Sequence, residues 1–352
     1  MTTLDALLAD PEWFPETLDT SRDMIRFARV TAAGLRATPF LDQRMAPIVT
    51  DRREAPLSQA VKTWRSDKAR KTHTPAFIFH SAFCCSTLLA RALDAPGTCL
   101  ALKEPDILMA LANALRVDET LKRDARAANQ IVDFIFELLG RRFTGGERIL
   151  LKPTNSANNL LPHALRLKAP SLALYGDLRS FLVSVIKKGE PCKAFVRLQY
   201  NIFSLDPGGL SAIPHRQAMG LTDLQVAAMI WRHQLELFTR ELEQSRGNNP
   251  VSLDFRALLE SPAECLAAVS RHLKLRHLPA DLTQIANGPV FRQNSKDAQE
   301  EYDSARRDAE EAELDARHGE TLDLIVPWAM GLNLGQAFDL PLPRPLTVAS
   351  AG

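Results

Sequence analysis

From residue 76 onward, short apolar runs of strand length alternate with longer stretches of helical periodicity, and this alternation constrains the fold more than any other feature. Residues 76–80 (AFIFH), 98–102, 148–151, 171–175 and 251–253 have the length and apolar texture of strands. Between and after them, residues 87–93, 106–115, 127–139, 157–167, 179–187, 226–243 and 257–273 repeat apolar residues at helical spacing. Strands separated by helices of about ten residues predict a parallel sheet covered on both faces. In such sheets ligands bind beyond the carboxyl ends of the strands, so the residues just after each strand are the ones to inspect.

The flanking regions differ. Residues 1–72 mix short helical patterns with charge, 18–35 having helical spacing and 66–74 forming a basic, polar run, and they read as a helical extension and linker. Residues 192–222, with Pro207, Gly208, Gly209 and Pro214, read as a long surface segment over the site. Residues 297–323 are charge-dense and read as a solvated helix, and 341–352 as a loose tail. The expected organisation is therefore an extension over 1–72, an α/β domain over 73–300 and a charged helix and tail over 301–352.

Composition excludes several classes. With 45% hydrophobic and 24% charged residues the chain is neither disordered nor fibrous. No apolar window approaches the roughly 18 residues that cross a bilayer, so no membrane partner is expected. Forty-three basic residues against forty-two acidic ones leave a net charge of +1, which argues against duplex nucleic acid and for a small anion in a local pocket. Five cysteines without zinc-ligand spacing, and no basic-then-apolar leader, suit a reducing cytoplasm and no structural metal.

The first strand-to-helix junction is His80-Ser81-Ala82-Phe83-Cys84-Cys85-Ser86-Thr87. A phosphate-cradling loop occupies this place in nucleotide-binding sheets, because unpaired backbone N–H groups there face an anion. On the eight-residue Walker A template only Thr87 agrees, since His80 and Cys85 stand at the glycine positions and Ser86 at the lysine position. That disfavours ordinary ATP or GTP hydrolysis.

The order of motifs resembles the P-loop sulfotransferases, which take a sulfuryl group from 3'-phosphoadenosine-5'-phosphosulfate (PAPS). Phe83-Cys84-Cys85-Ser86-Thr87-Leu88-Leu89 falls in register with that family's first loop, and Leu150-Leu151-Lys152-Pro153 with its Lys-Pro strand. Residues 172–179 followed by Ser184 are similar to its 3'-phosphate motif, and 252–262 to its Tyr-Glu-Asp-Leu stretch. The resemblance covers roughly residues 75–300. It implies a P-loop-type three-layer α/β/α domain with a central parallel sheet, PAPS as donor without a metal, and a small hydroxyl or amine acceptor.

It also implies roles. Phe83, Cys84, Cys85, Ser86 and Thr87 would hold the donor's 5' end, Arg179 and Ser184 its 3'-phosphate, and Arg292, Ser295 and Lys296 would close over it. Lys152 would stabilise developing charge, and Glu104 would take the acceptor proton, with His80 the alternative base. Lys103 would supply the cation absent at Phe83, where the family has a basic residue. Cys85 replaces the family's turn glycine and Gly176 its first arginine. Asp177 is expected to cap a helix or pair with an arginine, and Trp231, His163, His215 and His233 to be structural. Two alternatives stand beside this reading: a catalytically degenerate nucleotide-binding protein of the same fold, and an ATP-dependent phosphotransferase.

Overall fold

A computed structural model describes residues 3–67, 69, 72–247, 249–292, 304–332, 335 and 337–348. The chain divides into two compact units. The first comprises Met1–Phe79, Ala90–Ser171 and Ser270–His277, the second His80–Leu89, Leu172–Val269 and Leu278–Gly352.

After the short helix Leu4–Ala9, the first unit forms an antiparallel three-stranded sheet of β1 (Trp13–Asp19), β2 (Met24–Arg29) and β3 (Asp51–Pro56). The expected helical extension is present in the helices Leu4–Ala9, Ala32–Ala37 and Leu57–Ser66, but it also carries this sheet, which its sequence pattern did not reveal. Leu18, Ile25 and Phe27 are buried, and Leu18 faces Ile25 across the β1–β2 hairpin. The hairpin's turn is held by Asp19, whose Oδ1 accepts from the Ser21 N–H at 3.0 Å, and by Asp23, which takes a left-handed φ of 48°. Apolar residues in so short a stretch fit both a helical and an alternating period, and the turn chemistry decides between them.

Three parallel strands follow, β4 (Ala76–His80), β5 (Cys99–Lys103) and β6 (Arg148–Lys152). β5 and β6 are in register from Cys99 opposite Arg148 to Lys103 opposite Lys152, while Ala76 and Phe77 of β4 face Leu150 and Leu151. β4 and β5 are buried along their whole length, as strands covered on both faces must be. Phe77 packs on Phe79 and on Phe136 of the helix Ala125–Leu139, with ring centroids 5.4 and 4.8 Å apart. That helix is capped by Asp124, whose Oδ1 accepts from two backbone N–H groups of its first turn. Just beyond its end, Arg141 donates to the carbonyls of Leu7, Leu8, Asp10 and Trp13, fastening the start of the chain.

The second unit carries β7 (Ser171–Tyr175) and β8 (Val251–Asp254), parallel and in register from Leu172 opposite Val251 to Tyr175 opposite Asp254. The parallel strands follow the order β5-β6-β4-β7-β8, so the expected α/β class with a parallel sheet is the observed one. The helix Asp223–Gln244 starts at a capping box formed by Thr222 and Gln225. The helix expected to stop near Lys187 runs instead from Leu178 to Phe203. Gly189, at φ 66° and ψ −154°, kinks it and lets it continue past Pro191. Cys192, Val196, Gln199, Tyr200 and Phe203 are then buried at helical spacing, so the expected surface segment shrinks to 204–222, which holds the short helices Gly209–Ala212 and His215–Met219. The charged helix is present as Ser304–Met330.

Candidate functional site

In the second unit, β4 ends at His80 and the chain turns through Ser81–Cys85 into the helix Ser86–Ala92. Ala82, Phe83 and Cys85 all take left-handed φ, at 67°, 52° and 57°. Three non-glycine residues there within four positions cost about 1 kcal/mol each or more, a strain that surrounding contacts must hold. Those contacts are visible. The Ser81 N–H donates to the Leu174 carbonyl at 3.1 Å, the Ala82 N–H to His80 Nδ1 at 3.1 Å, and Gln234 Nε2 to the Ser81 carbonyl at 3.4 Å. Cys85 thus takes the conformation that glycine would supply, and its presence does not remove the turn. Ser86 and Thr87 are buried at the helix start.

His80 is buried, and its Nδ1 accepts from the Ala82 N–H, so that nitrogen's lone pair is committed to shaping the loop rather than to taking a proton. Phe83 packs on Phe181 at 5.3 Å between centroids. Over its ring, with Nζ 5.8 Å from the centroid, stands Lys188, a cation that motif reading missed because it lies thirteen residues beyond β7, just before the Gly189 kink of the helix Leu178–Phe203.

Gly176 follows β7 where an ideal Cβ would come within 2.7 Å of the Phe255 ring, and its carbonyl accepts from Trp231 Nε1 at 2.8 Å. The arginine of the resembled motif has no room there. Trp231 is fully buried, as expected of a core residue. Asp177 does both things expected of it: Oδ1 accepts from the Ser180 N–H at 2.9 Å, and Oδ2 pairs with Arg256 at 2.7 Å. Arg256 also donates to Ser180 Oγ at 3.3 Å. Its side chain is 55% exposed, so part of its guanidinium remains open to an anion from solvent. Arg256 is the second residue after β8, in the first turn of the helix Phe255–Glu260, and no motif gave it a role.

Arg179 is engaged elsewhere in the same unit. It pairs with Asp315 and Asp323 of the helix Ser304–Met330, both at 2.6 Å. Ser184 lies half-buried on the helix that begins at Leu178. Arg292 is exposed beside the short turn Pro289–Phe291, and Ser295 and Lys296 lie outside the described residues.

The first unit holds a separate constellation at the carboxyl ends of β5 and β6. Lys152 Nζ, fully buried, pairs with Glu104 Oε1 at 2.5 Å. The Glu104 N–H donates to the Lys152 carbonyl at 2.7 Å, and Glu104 itself is left-handed at φ 52°. Its carboxylate is 23% exposed, so one side of this buried-lysine pair is accessible. The Phe40 ring lies 5.6 Å from Lys152 Nζ and 4.0 Å from the Arg44 guanidinium, which is also bonded to Asp42. The Asp42 bond, with a smaller contribution from the charge of Glu104, holds Arg44 above its ordinary range. Phe40 and Arg44 had no motif to reveal them, coming from a region read as an extension.

Lys103 does not supply a loop cation. It donates to the Arg36 carbonyl at 2.8 Å and lies 3.9 Å from Asp94, inside a buried cluster where Arg36 bonds to Asp94, Glu147 and the Cys99 carbonyl. Burial pushes the Lys103 ammonium below its usual range.

Among the described residues, no group of three His, Cys, Asp or Glu side chains is arranged to hold a metal ion, and no helix is long and apolar enough to cross a membrane. No protein-family model matches the chain, and no curated protein matches it. Among solved structures, it is similar to the sulfotransferase domain from the curacin biosynthetic pathway, with 14% identity and a TM-score of 0.41 over 71% of this chain and 99% of that one.

Proposed function

We propose that the chain is a transferase that moves a sulfuryl group from PAPS to a hydroxyl or amine of a small acceptor. The observation that supports this most is the loop 81–85, where left-handed residues without glycine or lysine are pinned from several directions. Backbone in that conformation turns N–H groups into a concave anion nest, suited to the oxygens of a phosphosulfate anhydride. Cationic support comes from Lys188 over Phe83, and from Arg256 beside Asp177 as the guanidinium for the 3'-phosphate. Arg179, already holding two carboxylates, serves to fix the helix that carries Ser184.

In the proposed step the bond from sulfur to the bridging oxygen of the donor breaks and a bond from sulfur to the acceptor oxygen or nitrogen forms. The acceptor's proton passes to a carboxylate base, and the electron pair stays on the departing adenosine 3',5'-bisphosphate. Within the first unit, the Glu104–Lys152 pair is suited to take up a proton, because the lysine is buried and paired while one face of the carboxylate is accessible.

The test is thermal unfolding with adenosine 3',5'-bisphosphate against ADP with magnesium. A ligand at 100 times its dissociation constant adds about 2.7 kcal/mol of apparent stability, so the bisphosphate is expected to raise the midpoint by several degrees. Arg256→Ala should remove its advantage over 5'-AMP, whereas Glu104→Gln should abolish turnover and leave that binding intact. A midpoint that moves only with ADP and magnesium overturns the reading and favours a phosphotransferase.

A further inference from the structure

The first unit contains a second concentration of positive charge, at the end of its parallel strands opposite Lys152. A cavity of about 300 Å³ opens beside the starts of β4 and β6, lined by Thr72, His73, Thr74, Arg148, Lys168 and Lys274 among others. No carboxylate is among its described lining residues. Arg142 and Arg276 stand near enough to add to the same field. Burial, together with the charges of Arg148 and Arg276, holds the Arg142 guanidinium below its ordinary value. The Nε atoms of Arg142 and Arg148 are buried and make no hydrogen bond among the described residues. Arg142 Nη1 donates to the Gly145 carbonyl at 3.3 Å, which leaves the two buried Nε donors without acceptors on guanidiniums that repel one another, a cost that an anion joining them would offset.

The two lysines add an independent sign. Each follows a helix end, after Leu161–Arg166 and after Pro262–His272, and each takes the left-handed conformation, at φ 56° and 55°, that glycine normally serves. A helix carboxyl terminus offsets roughly half a charge per lysine. The three arginines are not accounted for in that way.

We infer that this cavity is a binding site for a small polyanion carrying a diphosphate group, distinct from the nest after β4. The volume suits such a group and excludes a nucleic acid duplex. The surplus of guanidinium and ammonium groups calls for more than one negative charge, and planar guanidiniums grip phosphate oxygens in pairs.

The experiment is isothermal titration of the full chain with inorganic pyrophosphate, free of divalent metal and at fixed ionic strength. Wild-type chain is expected to bind, and Lys168→Gln/Lys274→Gln to bind at least about tenfold more weakly. Both side chains are exposed, so the fold should survive, and circular dichroism checks it. Should the pair fail to fold, Lys274→Gln alone must still weaken binding. Arg256→Ala, which alters the other anion site, should leave pyrophosphate affinity unchanged. Absence of binding to wild type, binding that survives the lysine changes, or loss through Arg256→Ala overturns the inference. ADP without metal is the second arm: ADP that binds and is weakened by the lysine changes assigns a nucleotide-borne diphosphate, and ADP that does not assigns a free one.

Discussion

At the scale of single residues, Gly176 makes the sharpest case. Its position is set by the Phe255 ring, which approaches to where a Cβ would be, and by the Trp231 bond to its carbonyl. Gly176→Ala is therefore expected to destabilise the protein by about 1–3 kcal/mol through overpacking, measured as a lower midpoint in urea with the slope unchanged. Cys85 teaches the converse. A glycine was missing from the expected turn, yet the residue present adopts glycine's conformation. Composition at one position says which conformations are cheap, not which are used, and neighbours such as His80 and Gln234 settle the matter. Lys103 was illegible for a related reason: a strand-ending lysine looks alike whether it faces solvent or, as here, the carbonyl of Arg36.

Among the elements, the parallel strands could be read almost to the residue, because strands buried on both faces are uninterrupted apolar runs with polar ends. The antiparallel strands near the start could not, since their outward residues are charged and their inward ones sparse. The helix through Gly189 and Pro191 was cut short by two breakers that a single kink accommodates. The most consequential inter-element link, Arg179 to Asp315 and Asp323, joins segments 136 and 144 residues apart and leaves no local trace. It does have a pH signature. Arg179 hydrogen bonding holds the Asp315 carboxyl below its ordinary value. A carboxyl depressed in the folded state contributes stability that is present above its unfolded pKa and lost as pH falls through the folded one. Protection factors against hydrogen exchange in Ser304–Met330, taken relative to the intrinsic rate at each pH, should therefore fall on acidification below the ordinary carboxylate range. Asp315→Asn should lower them already at neutral pH and flatten the acid response.

For the whole molecule, near-neutral charge turns out to be a balance of local excesses rather than an even mixture. Cations gather around the cavity at the starts of β4 and β6, while Arg179 and Arg36 are matched by two carboxylates each. With 43 basic and 42 acidic residues there is no long-range field to attract a polyelectrolyte. The chain should not shift a duplex DNA of about 20 base pairs in a gel at 0.15 M salt, and a stable shift would contradict that account. The way Arg141 collects the carbonyls of Leu7, Leu8, Asp10 and Trp13 carries a practical corollary for anyone handling the protein. Residues 7–13 behave as ligands to a fixed guanidinium. An expression design or a proteolytic nick that discards them would strand a charge in the interior, so affinity tags belong ahead of that stretch and never in its place.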